Sequence, residues 1–305
     1  MVTARARGVV TGLLGDRMFG EPPASVHPLR GFGALMAAAE QRWWADSRRA
    51  GVRHAALGIG LGAAAGAGLR STAAATWLAV GGRNLWDAAG DIAAALEAND
   101  LPRARALLPT LVGRDPTGLD EKEIARAAVE SVAENTVDAI VAPALLALTA
   151  GAPGVLAYRA VNTLDAMVGH RSARYERFGW ASARLDDAAN WVPARVTAFL
   201  VAAVRPHRAS AVAHAVRTQA PAHPSPNSGV AEAAFAAALG VRLGGVNRYG
   251  DRTEQRPQLG DGPPPAAADI RRATKLSSDV TWALTVMAAA AVGISGRRRP
   301  GLGRG

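Results

Sequence analysis

The stretch Arg126-Ala-Ala-Val-Glu130-Ser-Val-Ala-Glu134-Asn135-Thr-Val-Asp138 runs directly into the apolar segment from Ala139 to Tyr158. Helical residues four apart sit nearly above one another. Arg126, Glu130, Glu134 and Asp138 therefore form one polar stripe that ends where the chain turns hydrophobic. Carboxylates at such a boundary are costly to desolvate and need a partner, such as a metal, a cation or a substrate. The spacing alone also fits the solvated face of an amphipathic helix.

The segment from Ala139 to Tyr158 is uncharged and has the nominal length of a spanning helix. Its middle reads Thr149-Ala-Gly151-Ala-Pro153-Gly154, a turn signal. Each half is then about ten residues, or roughly 15 Å of helix, enough to reach only mid-bilayer. The segment is either a span or a re-entrant helical hairpin. The turn favours the hairpin, whose irregular backbone must be shielded by protein. A hairpin would place Arg159, Asn162 and Asp165 on the same side as the carboxylate stripe.

Three further stretches compete for the membrane. Residues 55–82 are apolar apart from Arg70, with Gly58, Gly62 and Gly66 at the four-residue spacing that lets helices approach closely. No strand signal, Gly-x-Gly-x-x-Gly pattern or Walker lysine accompanies these glycines, so they read as structural. Residues 191–204 contain Pro193 and Arg195 and are short for a span. Residues 280–296 begin after Asp279 and end at Arg297-Arg298-Arg299, a cytoplasmic flank by the positive-inside rule. The apolar run from Gly8 to Gly15 is too short for a removable signal peptide. The expected fold is all-α: a polytopic helical integral membrane protein, one domain over residues 1–305. Polar loops 83–138, 159–190 and 205–279 connect its apolar segments. Residues 84–111 read as an amphipathic helical run with Leu85, Trp86, Ala89, Ile92 and Leu96 on one side. Asp115 and Thr117 are expected to cap the helix that follows, and the Pro/Gly-rich residues 255–268 to form a loop.

Composition limits the chemistry. The chain has 305 residues, no Cys and a net charge of +10, carried almost wholly by Arg, since Lys122 and Lys275 are its only lysines. Disulfides, thiolate metal sites and a cysteine nucleophile are excluded. The arginines are scattered and not interleaved with aromatics, so nucleic acid is not an expected partner. His207 and His214 lack carboxylate or cysteine companions, which argues against zinc.

Beyond the stripe, three clusters repeat one toolkit of acid, amide and arginine. Arg159, Asn162 and Asp165 step by three, within about a third of the helix circumference. Asp186 and Asn190 lie four apart, followed by Arg195. Asn227 sits in Ser225-Pro-Asn-Ser-Gly229, followed by Glu232, and Asn247 in Gly244-Gly-Val-Asn-Arg-Tyr249. Asn227 and Asn247 also fit simple turns, and Asp186 a surface ion pair. Carboxylates and amides are hard ligands for Mg²⁺, and arginine clamps phosphate. The combination suits phosphoryl or acyl-phosphate chemistry, in which catalysis is chiefly positioning and charge stabilisation.

The motifs Glu130-Ser-Val-Ala-Glu-Asn-Thr-Val-Asp138, Tyr158-Arg-Ala-Val-Asn-Thr-Leu-Asp165, Tyr175-Glu-Arg-Phe-Gly-Trp-Ala-Ser-Ala-Arg-Leu-Asp-Asp187, Asn190-Trp-Val-Pro-Ala-Arg195 and Ser225-Pro-Asn-Ser-Gly229 resemble those of the adenosylcobinamide-phosphate synthase (CobD/CbiB) family of cobalamin biosynthesis. Gly15-Asp-Arg-Met-Phe-Gly-Glu-Pro22 and His27-Pro28 resemble its opening, so the likeness covers nearly the whole chain. It implies a multi-pass enzyme of the bacterial cytoplasmic (inner) membrane. With ATP and Mg²⁺, such an enzyme joins the carboxylate of adenosylcobyric acid to (R)-1-aminopropan-2-ol or its O-phosphate. That would make it a carbon–nitrogen ligase whose partners are the corrinoid, the amine, the lipid bilayer and other membrane enzymes of the corrinoid pathway.

Side-chain chemistry then suggests roles. Glu130, Glu134 and Asp138 are expected to hold Mg²⁺ and to act as general base, with Asp165 also catalytic. Arg159 and Arg195 are candidates for phosphate charge. Asn135, Asn162, Asp186, Asn190, Asn227 and Asn247 would position substrate. The rival reading is a membrane transporter of a small anionic or polar solute, since broken apolar segments with polar groups also build transport sites.

Overall fold

An Ala-rich chain with few β-branched runs favours helix almost everywhere, and helices make up nearly all the regular structure. The computed structural model describes residues 2–23, 25, 27–113, 115–170, 172–249 and 252–297, without the side chains of 247–249, 252–254 and 294–297. In chain order the helices are α1 (Val2–Phe19), α2 (Pro28–Trp43), α3 (Arg48–Leu69), α4 (Thr72–Ala79), α5 (Gly82–Glu97), α6 (Leu101–Leu107), α7 (Glu121–Thr136), α8 (Ala142–Leu164), α9 (Trp180–Val204), α10 (Ala209–Thr218) and α11 (Ser228–Leu239). A hairpin of strands β1 (Leu243–Tyr249) and β2 (Arg252–Leu259) follows, and then α12 (Ala267–Arg297). Two compact units share these elements. The first holds residues 1–81, 142–189 and the chain from 284 onward; the second holds 82–141 and 190–283.

In the first unit, the glycines of α3 set the packing. A Cβ on Gly58 would lie 2.6 Å from the Leu164 side chain, one on Gly62 2.5 Å from the Leu156 carbonyl oxygen, and one on Gly66 2.3 Å from that of Ala152. Position rises on α3 as it falls on α8, so the two run antiparallel with backbones in contact, as the four-residue spacing predicts. The apolar stretch 55–82 is nonetheless not one helix. Arg70 takes a left-handed conformation (φ 54°) that ends α3, and Ser71 caps α4 by accepting from the Ala74 amide. Gly8 and Gly12 of α1 face Thr72 and Thr76 of α4 just as closely.

The turn read at Thr149–Gly154 is present. Gly151 has φ 70° and ψ −157° inside α8. A Cβ on Gly154 would lie 3.2 Å from the Leu146 carbonyl oxygen, whereas eight residues of straight helix span roughly 12 Å. The chain bends back on itself at Gly151, and Arg5 secures the bend by donating to the Thr149 carbonyl.

Both ends of α8 continue into π turns, Val137–Val141 before it and Asp165–Gly169 after it. Each wider turn breaks the four-residue repeat. The stripe expected through Asp138 therefore holds for Arg126, Glu130 and Glu134, and the π turn displaces Asp138 from their register.

The second unit contains the amphipathic run, divided into α5 and α6 by Asn99 (φ 56°). Leu85, Ala89, Ile92 and Leu96 are buried as read, whereas Trp86 donates from Nε1 to Ser277 at 2.9 Å. The cap of α7 is Asp120, not Asp115 or Thr117. Asp120 and Glu123 form a reciprocal capping box, and Asp115 instead accepts from the Thr117 amide in a local turn. The loop expected from 255 begins as strand β2, paired antiparallel to β1. The extended residues there form a ladder whose open end is anchored by the buried pair Leu243 and Leu259.

Among the described residues two helical runs are long and apolar enough to cross a membrane, Glu121–Gly169 and Ala267–Gly293. Residues 191–204 belong to the longer α9, which carries Pro193 internally, and neither they nor 55–82 meet that test. The triple arginine after residue 296 is only partly covered, since 298 and 299 lie outside the described residues and the side chain of 297 does as well.

Candidate active site

In the second unit, α7, α11 and the β-hairpin bring acidic and basic side chains together. Glu130 is 4 % exposed. Its Oε1 accepts from the Gly244 amide at 2.8 Å and from Arg126 Nη1 at 3.4 Å. Arg126 also donates to the carbonyls of Gly244 (2.7 Å) and Val246 (2.8 Å), so it ties α7 to β1. The tie needs glycine at 244. Its φ is +83°, it sits at a β-bulge, and a Cβ there would meet the Pro257 carbonyl oxygen at 1.9 Å.

One turn along α7, Glu134 accepts a hydrogen bond from Ser228 and another from the carboxyl of Glu232. Glu232 is the one charged residue of α11 and is 5 % exposed. Burial first, then the neighbouring Glu130 and Glu134, push its carboxyl well above the usual carboxylate range, against the pull of Arg256. Two carboxyl groups sharing one proton is the arrangement that like charges at close range enforce.

His223 completes the cluster. Arg256 donates to its Nε2 at 2.9 Å, and Glu232 Oε1 lies 3.6 Å from the same nitrogen. On the other side of the ring, Nδ1 lies 3.1 Å from both the amide nitrogen and the carbonyl oxygen of Ser225. Gly229 makes room for the ring, since a Cβ there would lie 2.4 Å from that of His223. In the same unit Arg195 stacks on Trp191 (4.3 Å to the ring centre) and donates to Asn227 Oδ1 at 3.1 Å. Asn190 is 1 % exposed, and Asn135 turns back on its own helix, donating to the Ser131 carbonyl at 2.9 Å.

The first unit carries a smaller cluster. Arg159 donates to Asn162 Oδ1 at 3.3 Å, and Asn162 donates to Asp186 Oδ1 at 3.4 Å. Asp186 and Asp187 lie within electrostatic reach of Asp165. The Asp165 carboxylate covers Gly169, where a Cβ would meet Oδ1 at 1.8 Å.

The structure thus brings together Glu130 and Glu134, Arg195 and Asn227, and Arg159, Asn162 and Asp186; the sequence grouped only Glu130 with Glu134 and Arg159 with Asn162. The sequence reading missed the parts that Glu232, His223, Arg256 and Arg126 play. A lone carboxylate in the apolar run Ser228–Leu239 was the available signal for Glu232; His223 and Arg256 gave none. The side chain of Asn247 lies outside the described residues. The expected Mg²⁺ set does not converge. Among the described residues no three acidic or histidine side chains are arranged to hold a metal ion, and Glu130 faces a guanidinium and an amide.

Comparison with known proteins bears on all of these residues. The family model described as "CobD/Cbib protein" matches residues 9–277. A relative named "Cobalamin biosynthesis protein CobD" from Mycobacterium tuberculosis is 49 % identical over 97 % of both chains. Relatives of the same name from Rhodobacter capsulatus (43 %, covering 82 % of this chain and 84 % of the relative) and Geobacter metallireducens (42 %, covering 87 % and 90 %) are similar over most of their length. No solved structure matches the chain.

Proposed function

Because this chain belongs to the CobD/CbiB family of cobalamin biosynthesis, we propose that it is the ligase that makes the amide of adenosylcobinamide or its phosphate. Its substrates are adenosylcobyric acid, ATP and (R)-1-aminopropan-2-ol or its O-phosphate. It acts in the bacterial cytoplasmic membrane as a multi-pass protein, beside other membrane enzymes of the same pathway. The observation that carries this reading is the hydrogen-bonded pair of Glu134 and the buried Glu232 in a cluster with Glu130, His223 and two arginines.

An amide does not form from a carboxylate and an ammonium without activation. ATP supplies it by converting the carboxylate to a phosphoric mixed anhydride. The amine nitrogen then attacks the acyl carbon, the carbon–oxygen bond to phosphorus breaks, and the phosphoryl oxygen leaves with the electron pair. The nitrogen must lose a proton, and a carboxylate pair already holding one can take it up at Glu134 and release it from Glu232. Arg159 and Arg195 would offset phosphoryl charge, and the hydrogen bonds from these two guanidiniums to Asn162 and Asn227 support that reading by fixing their orientation. Mg²⁺ would enter with the nucleotide, since no three acidic or histidine side chains among the described residues are arranged to hold it.

The test is reconstitution in detergent with MgATP, adenosylcobyric acid and the amine, with and without its phosphate, read by mass spectrometry. An ATP-dependent amide product is expected, and Glu134→Gln should abolish it while the protein stays folded. Folded wild-type protein that gives no product with either amine would overturn the ligase reading in favour of transport.

A further inference from the structure

Three arginines converge on one cavity at the α2–α3 corner of the first unit. The cavity, about 680 Å³, is lined by Ser47, Arg48, Arg49 and Arg177. The start of α3 supplies the first two arginines, and a docked turn supplies the third. Gly51 admits that turn, since a Cβ there would lie 1.9 Å from the Phe178 carbonyl oxygen, and Phe178 is buried with Ala50 and Val168. Among the described residues, the one carboxylate within ion-pair distance of the three is Asp46, 3.6 Å from Arg177. Glu40 of α2 is already engaged by Arg174 and by the Tyr175 hydroxyl, each at 2.9 Å. Three guanidiniums against one carboxylate leave the cavity cationic. Arg48 and Arg49 also stand in the first turn of α3, where the helix dipole disfavours a cation. An anion in the cavity offsets both costs.

The surroundings say what kind of anion. Three tryptophans belong to the same corner, each with an arginine over its ring: Arg53 over Trp43 at 5.4 Å, Arg174 over Trp44 at 4.7 Å and Arg48 over Trp180 at 4.9 Å from the ring centre. Trp44 and Trp180 stay 39 % and 38 % exposed. Tryptophan with arginine is the composition of a membrane–water interface, where the ring sits at headgroup level and the guanidinium reaches the phosphates. Beyond the corner, α3 is uncharged from Ala55 to Leu69. One line on its surface, four residues apart, reads Arg48, Val52, Ala56, Gly60 and Ala64, and all five are exposed. Packing against α8 uses a different line, that of Gly58, Gly62 and Gly66. From Val52 to Ala64 the exposed line is a smooth apolar track roughly 18 Å long. A soluble phosphate would use the arginines and leave the track bare. A phospholipid uses both.

We infer that this corner binds one anionic phospholipid, with its phosphate held by Arg48, Arg49 and Arg177 and an acyl chain lying along Val52, Ala56, Gly60 and Ala64. The inference rests on the membrane placement proposed above and not on the ligase chemistry.

Native mass spectrometry of the full chain in detergent would titrate four probes: phosphatidylglycerol, zwitterionic phosphatidylethanolamine, glycerol 3-phosphate and MgATP. Phosphatidylglycerol should bind at one per chain, roughly tenfold or more tighter than phosphatidylethanolamine. An arginine beside an anionic headgroup contributes roughly fivefold, so Arg48→Gln/Arg49→Gln/Arg177→Gln should bind phosphatidylglycerol about a hundredfold more weakly. Replacing three exposed arginines of the second unit, as Arg103→Gln/Arg217→Gln/Arg242→Gln, should leave that binding as in wild type. Circular dichroism checks that each variant is folded. If the corner variant is not, Arg49→Gln alone, which breaks no hydrogen bond or ion pair among the described residues, should still lose roughly fivefold. Equal affinity for the two lipids, or equal weakening by the two triple variants, overturns the site. Glycerol 3-phosphate or MgATP binding as tightly as the lipid, and lost in the corner variant, overturns the lipid assignment and gives the cavity to a soluble phosphate. A chain recovered from cells without detergent overturns the membrane placement and the lipid with it. A chain that needs detergent yet fails these titrations loses the site alone.

Discussion

Alanine substitutions along α3 should change sign from one glycine to the next. At Gly66 an added Cβ would lie 2.3 Å from the Ala152 carbonyl oxygen and 2.6 Å from the Pro153 Cα, both backbone atoms that cannot swing aside. Ordinary contact begins near 3.4 Å, so α3 and α8 would have to part by about 1 Å. Forcing excess volume into a packed site typically costs about 1–3 kcal/mol. Replacing glycine by alanine inside a helix returns about 1 kcal/mol. Gly66→Ala should therefore lose up to about 2 kcal/mol net. At Gly68, nothing lies within 4 Å of the new Cβ, so Gly68→Ala should gain up to about 1 kcal/mol from propensity alone. The pair shares a helix, a chemistry and a solvent, which removes most common-mode error. Thermal unfolding in one detergent, followed by circular dichroism, reads the difference as Gly66→Ala melting below wild type and Gly68→Ala at or above it. Equal melting points for the two variants would refute the close backbone approach.

Other expectations follow from the second unit. The folded Glu232 carboxyl titrates above its unfolded value of about 4.3, so its contribution to stability is full below that value and is lost as pH rises through the folded pKa. Wild type should lose stability with rising pH faster than Glu232→Gln, as denaturant midpoints at several pH values would show; parallel pH profiles would count against the raised carboxyl. Arg126→Ala should destabilise by about 3 kcal/mol, because it leaves the buried Glu130 without its cation. The same variant should expose residues 243–259 to protease, since Arg126 holds β1 by two carbonyls; a protease pattern like that of wild type would contradict the tie.

Local rules made parts of this legible in advance. The spacing of Gly58, Gly62 and Gly66, the break at Gly151, and the common face of Glu130 and Glu134 depend on helical period and turn chemistry, which a single sequence displays. The pairing of Glu134 with Glu232 does not, because the partners are nearly a hundred residues apart and meet only through the packing of α7 on α11. His223 and Arg256 escaped for the same reason. Asp138 misled by the opposite route. Its four-residue spacing from Glu134 was real in the sequence, but a π turn intervenes just where the repeat would have carried it. The cap of α7 was misplaced because Asp115, Thr117 and Asp120 all suit that role, and only the reciprocal bond with Glu123 distinguishes Asp120.

The π turns on either side of α8 have a consequence for how this chain can vary. A π turn is what a helix makes of one residue more than its ladder needs. Removing a single residue within 137–141 or 165–169 would restore regular helix and rotate everything beyond it by about 100°. Asp138 and Asp165 each lie inside one of these turns. The direction each acid faces is therefore set by chain length as much as by residue type. Relatives of equal length through these turns can exchange much of α8 and keep both acids in place. A one-residue deletion there would re-aim the acid without altering any side chain, and an insertion and a substitution would leave quite different marks on the lineage.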